Sequence, residues 1–388
     1  MKSFEAPDLF ELDQLFTREQ RMIRDSLREF VNSEVLPIIE ECHIEGRFPS
    51  ELVPKLADLG VLGPQLTGYD CAGLDQTSYG IIMREIERGD SGIRSFCSVT
   101  SSLCMYPIHR YGTEELKKKF LPDLAKGRKI GAFGLTESDF GSNPAGMRTR
   151  AVKKGDKFIL NGGKMWITNG SICDLAVVWA RSEDDKFIGL VVEKDSPGFK
   201  TQSIQKKFSL RATDTSELIF EDCEVPSSNL LQVEGLRGPF SCLNSARYGI
   251  GWGSMGAAMA CFGEARNYAL TRIQFDKPIA SFQLVQAKLV EMYTEITKGQ
   301  MLAFHLGQLN DNDKMKPQQV SMVKMNNVSK ALQIARTTRD ILGANGVTHE
   351  YQCGRHMANL ESVNTYEGTE DIHRLILGQH ITGIPAFQ

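Results

Sequence analysis

Apolar side chains between residues 18 and 44 return at steps of three and four (Met22, Leu27, Phe30, Val31, Val35, Ile38, Ile39), which is the period of an amphipathic helix. The same spacing predicts helices over 51–62, 78–88 and 114–124, with Gly/Pro/Asp punctuation such as Gly68-Tyr69-Asp70 between them. After Gly127 the texture changes to short apolar runs bounded by Gly, Asn or Asp: Phe158-Ile159-Leu160, then 175–179, 188–192 and Leu218-Ile219-Phe220. That is the spacing of strands and turns. Beyond Pro239 helical patterns return over 257–272, 282–309 and 318–342. The chain therefore reads α, then β, then α.

One glycine motif needs placing against that pattern. Gly251-Trp252-Gly253-Ser254-Met255-Gly256 matches G-x-G-x-x-G, and Asp276 follows about twenty residues on, as a dinucleotide fingerprint requires. Such a fingerprint must leave a strand and open a βαβ unit, whereas this one lies in a helical stretch. Small residues for close helix packing are the reading that fits.

Composition narrows the function classes. Apolar residues make up 41% and charged residues 24%, with a net charge of -3, so no field of one sign points to nucleic acid or anionic lipid. Residues 1–10 carry Glu5 and Asp8 and no long apolar run, which argues against a secretory or transit segment, and no run reaches membrane-spanning length. Nine cysteines stand singly, without a C-x-x-C pair, and seven histidines form no H-x-x-x-H. They encode neither a disulfide framework nor a metal site, and a reducing compartment is expected, the cytoplasm or an organelle matrix such as that of mitochondria.

Four separated stretches carry candidate chemistry. Phe133-Gly134-Leu135-Thr136-Glu137 with Gly141-Ser142-Asn143 would offer hydroxyls and turn N–H groups to a polar cofactor edge, although alone it reads as an ordinary loop. Lys164-Met165-Trp166-Ile167-Thr168-Asn169 would set Trp166 and Thr168 on one strand face, an aromatic platform beside a hydroxyl, unless Trp166 is a core residue. Arg272-Ile273-Gln274-Phe275 with Gln283 offers a cation and amides for a pyrophosphate, or else a solvated helix end. Tyr366-Glu367-Gly368-Thr369 places a carboxylate beside a glycine that allows close ligand approach, which proton abstraction next to a carbonyl requires; a lone glutamate is otherwise surface decoration.

Together, and in this order along the chain, these stretches resemble the acyl-CoA dehydrogenase family. Within it the resemblance is to the glutaryl-CoA dehydrogenases, through Ile93-Arg94-Ser95, Ser98-Val99 with Ser101-Ser102-Leu103, 208–212, 242–250, 364–369 and 381–384. It implies an α+β, mainly α fold: an N-terminal helical domain (1–129), a middle β-sandwich-like domain (130–233) and a C-terminal four-helix bundle (234–388). It also implies FAD as cofactor, no metal, an acyl-CoA substrate, electron-transfer flavoprotein as the redox partner and a homotetramer built as a dimer of dimers.

Residue by residue, the resemblance makes Glu367 the base that removes the α-proton. Its backbone N–H and a ribityl hydroxyl of FAD would hold the thioester oxygen. Phe133, Leu135, Thr136, Ser142, Trp166, Ile167, Thr168 and Thr369 would contact the cofactor, joined by Phe387. Arg272, Phe275, Gln283, Asp340, Leu342, Gly343 and Ala344 would reach the cofactor of a neighbouring subunit. Arg94 would fork onto the distal carboxylate of a dicarboxyl acyl chain, with Glu87, Ser95, Ser98 and Tyr366 around it. The CoA chain would run past Ser142, Asn244 and Arg247, and Gly368 would border the acyl group. Glutaryl-CoA would then be oxidised and decarboxylated to crotonyl-CoA. An acyl-CoA oxidase, or a dehydrogenase of another carboxylated or aromatic acyl-CoA, is the rival on the same fold. Glu370 stands where close relatives have His; on a shared helix face it would raise the pKa of Glu367 by like-charge repulsion.

Overall fold

The computed structural model describes residues 8–386, so Phe387 lies outside the described residues. The N-terminal third folds as Arg18–Phe30 (α1), Leu36–Glu45 (α2), Val53–Asp58 (α3), Gln76–Gly89 (α4), Ser91–Ser98 (α5), Tyr106–Tyr111 (α6) and Glu114–Ala125 (α7). A capping box at Thr17 opens α1, and Asp75, Asp90 and Thr113 each cap the helix that follows with a side-chain oxygen on a backbone N–H. The helix expected over 51–62 is shorter, a 3-10 turn and then α3. Gly60 at φ +69° and Gly63 at φ +68° turn the chain away there. A π-helical segment, Val99–Met105, continues directly from α5.

The middle unit is one sheet of eight strands: Gly131–Gly134 (β1), Arg150–Lys154 (β2), Lys157–Thr168 (β3), Leu175–Arg181 (β4), Phe187–Glu193 (β5), Phe199–Ser203 (β6), Thr215–Pro226 (β7) and Leu230–Glu234 (β8). Their order is β6-β7-β3-β2-β4-β5-β8, with β1 parallel to β4. One register pair, Arg150↔Arg181, joins the half around β3 to the half around β4. The two halves therefore fold onto one another: Ala176 and Val178 of β4 share a core with Leu160 of β3 and Leu218 and Phe220 of β7. The alternate residues of β4, Leu175, Val177 and Trp179, point the other way, onto Leu121 and Leu124 of α7. A period of two thus binds the sheet to its own second layer and to the helices at once.

The C-terminal third is helical: Arg237–Thr271 (α8), the small hairpin Ile273–Gln274 (β9) and Lys277–Pro278 (β10), then Gln283–Asp311 (α9), Pro317–Ile341 (α10), Cys353–Thr365 (α11) and Glu370–Thr382 (α12). The G-x-G-x-x-G sequence lies inside α8. There a Cβ on Gly253 would meet the Glu87 carboxylate of α4, and one on Gly256 would meet the Arg84 carbonyl. These glycines let α4, buried along nearly its whole length, lie against α8. Because the obstacle at Gly256 is backbone, Gly256→Ala is expected to lower stability by about 2 kcal/mol, read as a drop in melting temperature; an unchanged melt would mean that the helices part freely. All nine cysteines are free thiols, eight of them buried. Among the described residues no helix is long and apolar enough to cross a membrane.

Candidate active site

The site is assembled where α11 ends. Tyr366 caps that helix in extended conformation, and Glu367 (φ +53°) and Gly368 (φ +96°) then take left-handed backbone before Thr369 starts α12. Gly368 needs its lack of a Cβ twice over: for its φ, and because a Cβ would come within 3.0 Å of His373 Nε2. Thr369 caps α12, its hydroxyl accepting from Ile372 N at 3.2 Å. Glu367 as a residue is half-buried, but its Oε2 is enclosed and has no hydrogen-bond partner among the described residues. Burial raises the Glu367 carboxyl to about 7, and Arg94, Arg247 and Lys324 hold it from rising further. Glu370 is not among the groups acting on Glu367. The expected like-charge repulsion is therefore corrected: Glu367 precedes the helix, and the Glu370 carboxylate instead accepts from Asn364 Nδ2 at 3.2 Å and from Arg374.

Beside the carboxylate lies Arg94, fully enclosed on α5. Its Nε donates to Glu87 Oε2 at 2.6 Å, and its Nη2 donates to the Tyr366 hydroxyl. Its Cζ stands 5.7 Å from the Tyr366 ring centroid. Glu87 is oriented by Ser91 Oγ at 2.9 Å. Burial works against the Arg94 charge, but Glu87 and Tyr366 outweigh it and hold the guanidinium protonated. The remaining donor, Nη1, is buried without a partner among the described residues. An enclosed guanidinium nitrogen left in this condition is a receptor for an anionic oxygen. Ser95 and Ser98 are buried on the same helix.

Arg247, expected along a CoA chain, donates from Nε to the Glu367 carbonyl at 2.6 Å. Asn244 is half-buried one turn earlier on α8, and Ser142 is exposed in its loop. Two residues of the site escaped the sequence reading. Lys324 of α10, 1% exposed, donates from Nζ to the Tyr366 and Gly368 carbonyls at 3.1 and 2.8 Å. His373 of α12 is buried with both ring nitrogens enclosed, and burial together with Lys324 and Arg247 lowers it to about 3, so it is neutral. A signal for Lys324 did exist, a charge inside the apolar stripe Val320, Val323, Val328, Ala331 of a helix.

The sheet edge carries the aromatic platform. Trp166, at φ +64°, sits where the β3–β7 register slips between Lys164 and Ile167. Simple strand alternation is thus corrected to a bulge, which turns the indole outward, 61% exposed, while Ile167 is buried. Asn169 ties this strand to Asp214 (backbone N–H to carbonyl, 3.1 Å). The same loop reaches α11, with Leu210 N donating to Asn359 Oδ1 at 2.8 Å and Ser209 Oγ to Ser362 Oγ at 2.6 Å. The strand of the platform is thus joined through this loop to the helix that ends at the Glu367 turn. Thr136 and Thr168 are half-buried there, whereas Phe133 and Leu135 pack into the core. An uncovered indole with flanking hydroxyls fits a planar cofactor ring.

Arg272, Phe275, Gln283, Asp340, Gly343 and Ala344 form a second, exposed group. The Lys288–Asp340 ion pair ties the start of α9 to the end of α10 there, and Leu342 is buried beneath. At 1.5 Å per residue, Arg272 lies roughly 37 Å along α8 from Arg247, so this group is remote from Glu367 in the same chain. Among the described residues no cluster of His, Cys, Asp or Glu could hold a metal ion.

Comparison with known proteins agrees with this fold. Three family models match: the acyl-CoA dehydrogenase N-terminal domain over residues 17–128, the middle domain over 132–223 and the C-terminal domain over 234–382. A Bacillus subtilis protein named acyl-CoA dehydrogenase is 35% identical, over 95% of this chain and 99% of its own. A solved glutaryl-CoA dehydrogenase from Mycobacterium smegmatis superposes with a TM-score of 0.96 at 50% identity, covering 97% of this chain and 98% of the other. A second structure, a glutaryl-CoA dehydrogenase of that organism in complex with FADH2, superposes with the same score at 48% identity and 98% coverage of both.

Proposed function

The chain belongs to the acyl-CoA dehydrogenase family and is an FAD-dependent enzyme; within that family we propose that it oxidises and decarboxylates glutaryl-CoA to crotonyl-CoA. The observation that carries the proposal is the buried Arg94, whose Nη1 has no partner among the described residues, beside the Glu367 carboxyl, whose enclosed Oε2 likewise has none there. A monocarboxylic acyl chain would leave that donor without an acceptor, at a cost of about 1–3 kcal/mol. A distal carboxylate pairs with it, and the 50% identical glutaryl-CoA dehydrogenase supports the same reading.

A thioester α-hydrogen is only weakly acidic, so the site must stabilise the enolate as it forms. The Glu367 N–H donates to the thioester oxygen and the Glu367 carboxylate takes the α-proton. FAD, when bound against Trp166, Thr136 and Thr168, supplies the acceptor for the β-hydride. Arg94 keeps the distal carboxylate in place through oxidation and releases it as carbon dioxide. Protonated Glu367 then returns its proton to the γ-carbon of the dienolate, giving crotonyl-CoA. A carboxyl near 7 serves both directions of transfer.

Electrons leave to an electron-transfer flavoprotein. The chain assembles as a dimer of dimers in which the Arg272, Gln283 and Asp340 group completes the cofactor site of a neighbour. The exposed Phe275 and Leu284, 85% and 80% open, support that surface as an interface.

The deciding experiment mixes the yellow protein anaerobically with glutaryl-CoA or butyryl-CoA and follows flavin bleaching and the acyl product. Rapid bleaching by glutaryl-CoA with crotonyl-CoA as product is expected; bleaching by butyryl-CoA alone refutes the substrate. The pH dependence follows from the raised carboxyl. The base works ionised, so kcat/KM rises with pH on a limb centred near 7. A limb at ordinary carboxylate values would show that burial does not tune Glu367.

A further inference from the structure

Three consecutive carbonyls around the base are each held by a cation, the buried Lys324 or the half-buried Arg247. Tyr366 O and Gly368 O accept from the Lys324 ammonium at 3.1 and 2.8 Å, and Glu367 O between them accepts from Arg247 Nε at 2.6 Å. The cations come from α10 and α8, so the loop is clamped from two helices. Glu367 needs such a clamp, because a non-glycine residue in left-handed backbone is strained and persists only when its surroundings impose it. Lys324 occupies an apolar stripe position where a hydrophobic side chain would pack without desolvating a charge.

We propose that Lys324 is a positioning residue for Glu367: its ammonium bridges the carbonyls on either side, fixes the direction of the carboxylate and supplies part of the positive field in which it ionises. The proposal rests on Glu367 being the base. Facing Lys324 are Glu367, Arg247 of α8, Arg94 of α5 and Glu370 and His373 of α12. Burial lowers Lys324 to about 7; the charge of Glu367 pulls it back, and Arg247 and Arg94 push it down. Ionised Glu367 and protonated Lys324 therefore support each other, and His373, held neutral, adds no competing charge. Removing the ammonium strengthens proton binding at Glu367 and frees the loop.

The test compares Lys324→Gln and Lys324→Arg with wild type in the FAD-loaded full chain, measuring FAD per subunit, kcat, KM and the pH profile of kcat/KM, with Glu367→Gln alongside. Lys324→Gln is expected to keep FAD and KM, to lower kcat near neutrality about tenfold, and to move the limb upward by about one pH unit. Lys324→Arg is expected to restore both. A Lys324→Gln profile superimposable on wild type, or a Lys324→Arg variant displaced as far as Lys324→Gln, overturns the proposal. If Lys324→Gln is not recovered folded, Lys324→Met, which fills the apolar stripe, carries the same expectation and the same refutation. Turnover surviving in Glu367→Gln would remove the base itself. An inactive Glu367→Gln beside wild-type titration in the Lys324 variants removes only the positioning role.

Discussion

Glu367→Gln is expected to lower kcat with glutaryl-CoA by about 10²- to 10⁴-fold while FAD content and melting temperature stay near those of wild type. The substitution keeps shape and removes only the basic lone pair. Oε2 makes no hydrogen bond among the described residues, so an amide there breaks none of their contacts, and exchanging a carboxyl that burial has raised to about 7 for a neutral group relieves a desolvation cost. Arg247 and Lys324 hold backbone carbonyls rather than the carboxylate, which leaves the loop clamped. Stopped-flow bleaching, with a thermal melt and the flavin spectrum on the same sample, checks all three expectations. Bleaching at the wild-type rate would remove Glu367 from its role.

Arg94→Ala carries the second large effect, and it has two parts. For glutaryl-CoA the loss in kcat/KM is expected to reach about 10²-fold or more, because a buried carboxylate is left unpaired; butyryl-CoA, which presents no distal charge, should lose far less. The fold also suffers: Glu87, 0% exposed like its partner, becomes a lone buried charge, at about 3–5 kcal/mol. Glu87→Gln combined with Arg94→Gln separates the two parts, since removing both charges restores the melting temperature but not glutaryl-CoA turnover. A change in selectivity that returns with stability would show that Arg94 acts only as scaffold. Arg94→Lys keeps a charge without the fork that spans Glu87, Tyr366 and an incoming carboxylate, so partial activity with a raised KM is expected.

How much of this could be read along the chain divides by range. The helical steps of 18–44 and 114–124, the strand runs at 175–179 and 188–192 and the order α, β, α follow from local periodicity and capping residues such as Asp75 and Thr113, so the sequence by itself determined them. It also carried the motif with Glu367 and, through resemblance, the family. Only the tertiary structure decided the rest. Arg94 and Glu87, seven residues apart across the α4–α5 corner, are singled out in the sequence by resemblance alone; burial is what makes them an obligatory pair, with one Arg94 donor spare among the described residues. The bulge at Trp166 depends on the β7 partner strand, and the short α3 on where Gly60 and Gly63 turn the chain. Arg247 and Lys324, 120 and 43 residues before Glu367, become its clamps because packing of α8 and α10 leaves their heads facing three carbonyls. Periodicity reports which face of an element is buried; the group that a buried charge meets there is set by distance in space, which no local pattern encodes.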